Sequence, residues 1–232
     1  MKRLSIIVIL AVMAAATLFS CKDESGEFVE QLYTDAQKEN AIKGCLKASA
    51  DSAINHLCVE GGFYAYNDSA YRIDYSPLQG NFFDVVEQYG WDVSAVDSLI
   101  RLTNRMAESC GAQLRPIFVA AIDSLDIVDY DALIKGDADA ITRYFELLKY
   151  NELKSAIRTP VSIRMDVYGV MDLWGTMWQL YVSHSSVPVN FDIQNYVVEK
   201  MLEGLLQEMR VEEGLVRTDS THRKDATELL GQ

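Results

Sequence analysis

From about residue 28 onward, apolar residues recur at intervals of three and four, and this period constrains the fold more than any other feature of the chain. It predicts a first helix over 28–57 and a clear amphipathic helix from Ile193 to Met209. The sequence contains no internal repeat and no low-complexity segment. We therefore predict an all-α protein, a single irregular multi-helix bundle and not a symmetric four-helix bundle.

Prolines and glycines mark the expected helix boundaries. Pro116 suits the first turn of a helix, where the missing amide hydrogen costs nothing. Gly136 is expected to close a short helix and Asp137 to cap the next one. Pro160 marks a further boundary, after which residues 161–182 are apolar enough for a central core helix.

The longest irregular segment is predicted over about 61–80. Gly61 and Gly62 stand side by side there, and an Asn-Asp-Ser run and Pro77 follow. The segment is also rich in aromatic residues, which indicates a loop that packs on the domain: Tyr64, Tyr66, Tyr71 and Tyr75.

The first 21 residues have the three parts of a secretory signal. Lys2 and Arg3 are followed by the uncharged run Leu4–Ser20, which is short for a bilayer span of about 20 residues. The end of this run, Leu18-Phe19-Ser20-Cys21, resembles the lipobox of bacterial lipoproteins, in which the cysteine is acylated and becomes the first residue. An ordinary cysteine after a normal cleavage site and an uncleaved membrane span are the alternatives.

The expected organisation follows from that signal. Residues 1–20 are a signal peptide, residues 21–27 are a tether lipidated at Cys21, and residues 28–232 are one helical domain. Acyl chains contribute about 0.8 kcal/mol per buried CH₂, so several of them hold a soluble domain at a membrane surface. The expected location is the cell envelope, at the outer membrane, facing either the periplasm or the cell surface.

The charge balance argues against a nucleic-acid partner. The chain has 21 Lys and Arg residues against 34 Asp and Glu residues, a formal net charge of -13. Binding of phosphate backbones and of anionic lipid headgroups requires clustered basic side chains. The expected partners are therefore the membrane, through the lipid anchor, and an unidentified protein or cell-envelope component.

No motif for catalysis or metal binding is apparent from the spacing of reactive residues. His56, His184 and His222 are scattered, and His56 with Cys58 forms an i, i+2 pair that points to different sides of a helix. The patterns of zinc proteases, EF-hands, nucleophile elbows and phosphate-binding loops are missing from the sequence. We therefore expect no cofactor, no metal, no catalytic residue and no enzymatic activity.

The cysteines beyond the signal are odd in number, so at least one thiol stays unpaired within a chain. Cys45 and Cys58 lie too far apart along one predicted helix for a disulfide. A disulfide from Cys110 to one of them and three buried free thiols both remain open.

One charged cluster is a candidate for ligand binding. Arg101, Arg105 and Glu108 are spaced by four and three residues, which places them on one face of a predicted helix. A solvated, salt-bridged surface is the ordinary interpretation of this face. If another helix covers it, the arginines would clamp an anionic ligand, with Glu108 holding them in place and Arg72 at the mouth of the pocket.

Four groups of residues, in order along the chain after the tether, resemble the motifs of one bacterial family: Gly61-Gly62-Phe63-Tyr64 with Tyr71-Arg72-Ile73; Asn104–Glu108 with Arg115–Phe118; Gly136–Ala140 with Thr142 and Tyr144; and Tyr196–Leu205 with Asp225–Gly231. The family is called domain of unknown function 4197. The resemblance implies a helical, exported and often lipid-anchored protein. It implies no activity, substrate or catalytic residue.

Three functions are compatible with these observations. We expect a cell-envelope lipoprotein whose domain is a non-enzymatic binding or interaction module. The alternative is a domain that binds a small apolar or anionic ligand in a helix-lined pocket, suggested by Trp174, Trp178 and the arginine cluster. An enzyme of unrecognised type is the third.

Overall fold

The computed structural model describes residues 33–64, 70–91, 93–223 and 225–231. These residues form eight α-helices with no β-strand among them, so the predicted all-α class is confirmed. The chain divides into two units, Met1–Tyr33 and Thr34–Gln232, and the eight described helices belong to the second. The predicted signal peptide, the tether and Cys21 lie outside the described residues.

The helices follow one another as α1 (Asp35–Leu57), α2 (Phe82–Gln88), α3 (Val93–Glu108), α4 (Gly111–Asp123), α5 (Tyr130–Ile134), α6 (Ala140–Val167), α7 (Val170–His184) and α8 (Ile193–Thr218). Three short 3₁₀ turns lie at Ser76–Leu78, Ser220–His222 and Asp225–Gly231. Among the described helices, none combines the length and the apolar run that crossing a bilayer requires.

The two helices predicted from the sequence over 28–57 and 193–209 form the centre of the core. α1 packs against α4 and α8, and α8 also packs against α6. α1 begins at Asp35 because Thr34 forms a capping box: its Oγ1 accepts a hydrogen bond from the Gln37 amide, and the Gln37 side chain accepts one from the Thr34 amide. The segment 28–32, where the sequence predicted the first helix to begin, lies outside the described residues.

Both prolines that were expected to mark helix boundaries lie inside helices. Pro116 is internal to α4 and Pro160 is internal to α6, so these two boundaries were wrong. The prediction of one helix over 161–182 is also wrong. The helix is interrupted at Gly169, whose φ of 70° is in the left-handed region. Proline costs a helix one hydrogen bond, and the buried apolar face of α6 on both sides of Pro160 compensates for it.

The predicted irregular, aromatic-rich segment is confirmed where residues 61–80 are described. It contains turns and one 3₁₀ turn, and Tyr75 is fully buried against Tyr196 at a ring-centroid distance of 5.7 Å. Beyond the segment, Phe82 stacks on Trp174 and Trp178 at 4.8 Å and 6.0 Å. The space beside the two tryptophans is therefore occupied by a side chain of the protein itself.

The start of α6 is capped by a residue from another helix. Asp139, not Asp137, is the N-cap, and its side chain makes no capping hydrogen bond. The buried Glu213 of α8 accepts hydrogen bonds from the backbone amides of Ile141 at 3.0 Å and Thr142 at 2.7 Å. A carboxylate at this position also interacts favourably with the positive end of the helix dipole.

Arg217, one turn further along α8, completes this arrangement. Its guanidinium donates to Glu213 at 2.8 Å and to the carbonyl oxygens of Leu133 and Ile134, also at 2.8 Å. These carbonyls belong to the last turn of α5. One buried ion pair on α8 thus holds the end of α5 and the beginning of α6.

The three described cysteines are free thiols, so Cys110 forms no disulfide with Cys45 or Cys58. Burial raises the pKa of Cys45 to about 12 and that of Cys110 to about 11. Both thiols therefore stay protonated at neutral pH and serve as small apolar residues of the core.

Candidate functional site

The predicted charged cluster is divided between the surface and the interior. Arg72 and Arg101 are exposed, and the Arg72 guanidinium lies 5.2 Å from the centre of the Tyr64 ring. Arg105 donates to Glu108 at 2.9 Å, but Glu108 itself is buried. The second carboxylate oxygen of Glu108 accepts a hydrogen bond from the Tyr64 amide at 3.1 Å. Both oxygens therefore have partners within the protein, and Glu108 serves to fix the turn at residues 61–64.

α3 fixes the other side of the irregular segment as well. The buried Asn104 side chain donates to the Ile73 carbonyl at 2.8 Å and accepts from the Ile73 amide at 2.9 Å. Thr103 and the Tyr75 hydroxyl share a hydrogen bond of 2.6 Å. These contacts join two of the motif groups found in the sequence, and they hold Tyr71 against α8.

Polar side chains meet where the end of α1 packs against α8. His56 Nδ1 lies 2.7 Å from Glu208 Oε1 and 3.6 Å from Glu212 Oε1. The Tyr71 hydroxyl donates to Glu208 Oε2 at 2.5 Å. Glu208 and Glu212 are only 8% and 6% exposed, whereas the His56 side chain is 50% exposed. We call His56, Tyr71, Glu208 and Glu212 the carboxylate site.

The local sequence explains this geometry. Glu208 and Glu212 are four residues apart on α8 and therefore share one face of the helix. Gly204, one turn earlier, leaves room for the irregular segment: a Cβ there would lie 3.3 Å from the Phe63 ring and 3.7 Å from the Tyr71 ring. The glycine thus allows Tyr71 to approach the helix closely enough to reach Glu208.

The four buried glutamates of the described chain have two kinds of partner. Glu108 and Glu213 each form an ion pair with an arginine. Glu208 and Glu212 have no lysine or arginine partner among the described residues, and their contacts are to histidine and tyrosine side chains. Burying a carboxylate is costly unless a positive charge compensates for it. Among the described residues, the carboxylate site therefore holds two buried carboxyl groups with no lysine or arginine to compensate for their charge.

Tyr71 holds one of these carboxylates in place. Burial raises the pKa of the Tyr71 hydroxyl above its usual value, and the hydrogen bond to Glu208 and the charge of Glu208 raise it further. Tyr71 therefore remains a donor at neutral pH. It fixes Glu208 Oε2 and leaves Oε1 directed towards His56.

A second histidine reaches the same site from the C-terminal part of the chain. His222 Nδ1 lies 4.0 Å from Glu212 Oε2, and the His222 side chain is 41% exposed. The prediction that the histidines are scattered is therefore wrong for His56 and His222. It is right for His184, whose ring stacks on Tyr89 at 4.1 Å in another part of the fold.

The sequence does contain a signal for the acidic half of the site. Met201, Leu205, Glu208 and Glu212 follow one another at spacings of three and four along the buried stripe of α8. Two carboxylates on an otherwise apolar helix face are unusual, because such side chains are rarely buried without partners. The histidines gave no such signal, since they approach from other elements.

The arrangement has the composition of a metal site. One ligand atom each from His56, Glu208 and Glu212 lies within 4.8 Å of the other two. An imidazole nitrogen with carboxylate oxygens suits zinc and the neighbouring divalent transition metals. Calcium and magnesium prefer oxygen ligands alone.

A family model described as "Protein of unknown function (DUF4197)" matches residues 32–232 of the chain. This match confirms the resemblance found in the sequence, and the matched range includes every residue of the carboxylate site. No curated protein and no solved structure matches significantly.

Proposed function

The chain belongs to the DUF4197 family of proteins of unknown function, and we propose that it is a non-enzymatic binding domain that holds a divalent transition-metal ion at the carboxylate site. One observation is the basis of the proposal: Glu208 and Glu212 are buried one helical turn apart, and histidines are their only basic partners among the described residues. A doubly charged ion balances both carboxylates at once.

The ligands are arranged for such an ion. His56 Nδ1, Glu208 Oε1 and Glu212 Oε1 would hold the ion, and the direct contact of 2.7 Å between His56 and Glu208 would open to admit it. Tyr71 orients Glu208 from outside the ligand set, as hydrogen-bonded neighbours of metal ligands commonly do. The half-exposed His56 ring provides a route of entry from solvent.

This proposal departs from the expectation that the chain holds no metal, which rested on the spacing of the histidines. It retains the expectation of a binding module. The arginine cluster is less suited to bind a ligand, because both carboxylate oxygens of Glu108 already have partners within the protein. The two tryptophans are less suited as well, because Phe82 occupies the space beside Trp174.

The test is metal titration of the full chain after removal of bound ions with a chelator. Isothermal titration with Zn²⁺ and with Mn²⁺ is expected to give one ion per chain for at least one of the two. At an ion concentration 100 times the Kd, binding stabilises the protein by about 2.7 kcal/mol. For a domain of this size the Tm then rises by about 5–10 °C.

Two variants make the test specific. The double variant E208Q/E212Q keeps the shape of both side chains and removes their charge, so it is expected to bind no ion while its helical circular dichroism is unchanged. The control is E203Q, which removes an exposed carboxylate paired with Lys200 on the same helix. The proposal fails if the wild-type chain binds no stoichiometric ion, or if E208Q/E212Q binds as tightly as E203Q.

We also propose that the domain is held at the cell envelope, at the outer membrane, by acyl chains on Cys21. The support is the signal-like start of the sequence and the lipobox-like Leu18–Cys21. Expressed in bacteria with labelled palmitate, the wild-type chain is expected in the membrane fraction and labelled, and the Cys21→Ala chain soluble and unlabelled. Retention of the variant in the membrane fraction would indicate an uncleaved span instead.

A further inference from the structure

We propose that His222 is a fourth protein ligand of this ion, and that the bound ion thereby ties the C-terminal segment to α1. The C-terminal segment comprises residues 219–223 and 225–231 of the described chain. This inference rests on the metal site proposed above and extends it to the regulation of a part of the fold.

The position of His222 beside Glu212 is the first observation that supports this proposal. The Glu212 carboxylate lies between two imidazoles, with His56 Nδ1 3.6 Å from Oε1 and His222 Nδ1 4.0 Å from Oε2. Two ligand atoms on one tetrahedral zinc ion are about 3.3 Å apart, given metal–ligand bonds of about 2.0–2.1 Å. His222 faces the second oxygen of Glu212 and lies outside the 4.8 Å within which the ligand atoms of His56, Glu208 and Glu212 meet, so its side chain must turn towards them to join the ligand set.

No hydrogen bond to a described residue holds the ring of His222 in place. Its other nitrogen, Nε2, lies 3.9 Å from Asp219 Oδ2, and both of these contacts to carboxylates are longer than a hydrogen bond. With its side chain 41% exposed, the ring has room to turn towards Glu212.

The backbone around His222, in contrast, is fixed to the end of α8. Asp219 Oδ1 accepts hydrogen bonds of 2.8 Å from the amide and the hydroxyl of Thr221. Arg223 donates to the carbonyl oxygens of Val216 and Arg217, also at 2.8 Å. These contacts keep His222 beside Glu212, so little conformational entropy is lost when it binds an ion.

Beyond this turn the C-terminal segment packs on α1 and α8, with Thr227 and Leu230 buried. An ion held by His56, Glu208, Glu212 and His222 joins α1, α8 and the C-terminal segment at one point. His222 and Thr227 also line a cleft of about 590 Å³ against α1 and α4. Metal binding is therefore expected to slow the local opening of the C-terminal segment, and with it that of one wall of the cleft.

The test compares His222→Ala with His184→Ala in the full chain. His184 is a matched control, because it is an exposed histidine on α7, away from the carboxylate site. We expect His222→Ala to weaken Zn²⁺ binding at least tenfold, the smallest loss usual for residues around a metal. His184→Ala is expected to bind like the wild type, and His222→Cys, which supplies another zinc ligand, to recover most of the affinity.

Hydrogen exchange read by mass spectrometry reports the second part of the inference. Zn²⁺ is expected to slow exchange in residues 219–231 of the wild type and of His184→Ala, but not of His222→Ala. If the wild type binds Zn²⁺ and His222→Ala binds it equally well, the inference about His222 is wrong and the metal site stands. If the wild type binds neither Zn²⁺ nor Mn²⁺, the metal site itself is refuted.

Discussion

Replacing Glu213 by glutamine is expected to destabilise the protein by about 3–5 kcal/mol, the usual result of removing one partner from a buried ion pair. The side chain of Glu213 is fully buried, and that of Arg217 is nearly so. Without the carboxylate, the Arg217 guanidinium remains in the interior with only neutral acceptors among its described partners, the glutamine amide oxygen and the carbonyl oxygens of Leu133 and Ile134. The first turn of α6 also loses a charged acceptor for its Ile141 and Thr142 amides.

Urea denaturation at pH 7, followed by circular dichroism, measures this loss. The control is Glu152→Gln on the surface of α6, which removes an exposed pair with Lys149. Exposed pairs contribute about 0–1 kcal/mol, so the control is expected to unfold close to the wild-type midpoint. A loss below 1 kcal/mol for Glu213→Gln would show that this ion pair does not join α5 and α6 as described.

Replacing Gly62 by alanine is expected to cost about 3 kcal/mol, the upper part of the range for overpacking a core. A Cβ at this position would lie 2.3 Å from the Leu57 carbonyl oxygen and 2.5 Å from that of His56. These are backbone atoms at the end of α1 and cannot turn aside as the tip of a side chain would. The last turn of α1 must shift, and His56 shifts with it.

The Gly62→Ala variant therefore has two expected effects, a lower urea midpoint and weaker ion binding in the titration described above. Gly175→Ala is the matched control, because nothing lies within 4 Å of a Cβ at that position in α7. An alanine inside a helix is favoured over glycine by about 0.5–1 kcal/mol, so this control is expected to be slightly more stable than the wild type. Equal stability of the two variants would contradict the close approach at Gly62.

The carboxylate site was only half visible in the sequence. The stripe that places Glu208 and Glu212 on one face of α8 can be found by counting, and so can the i, i+4 pair of Glu213 and Arg217. Counting does not show which of these carboxylates has a cation nearby in the folded chain. His222 was missed because it comes from a turn after α8, and its approach to Glu212 depends on how that turn folds back.

The sequence alone determined the all-α class, the presence of helices within 28–57 and from 193, and the family, because helical period and local motifs depend on neighbours within a few turns. It did not determine where the helices end. Pro160 removes one hydrogen bond from α6, and burial of that helix by distant parts of the chain compensates for the loss. The contact between His56 and Glu208 also could not be predicted from the sequence, because only the packing of α1 on α8 places these side chains together. Periodicity is a local property, whereas the charge balance of a buried site is decided by every element that packs around it.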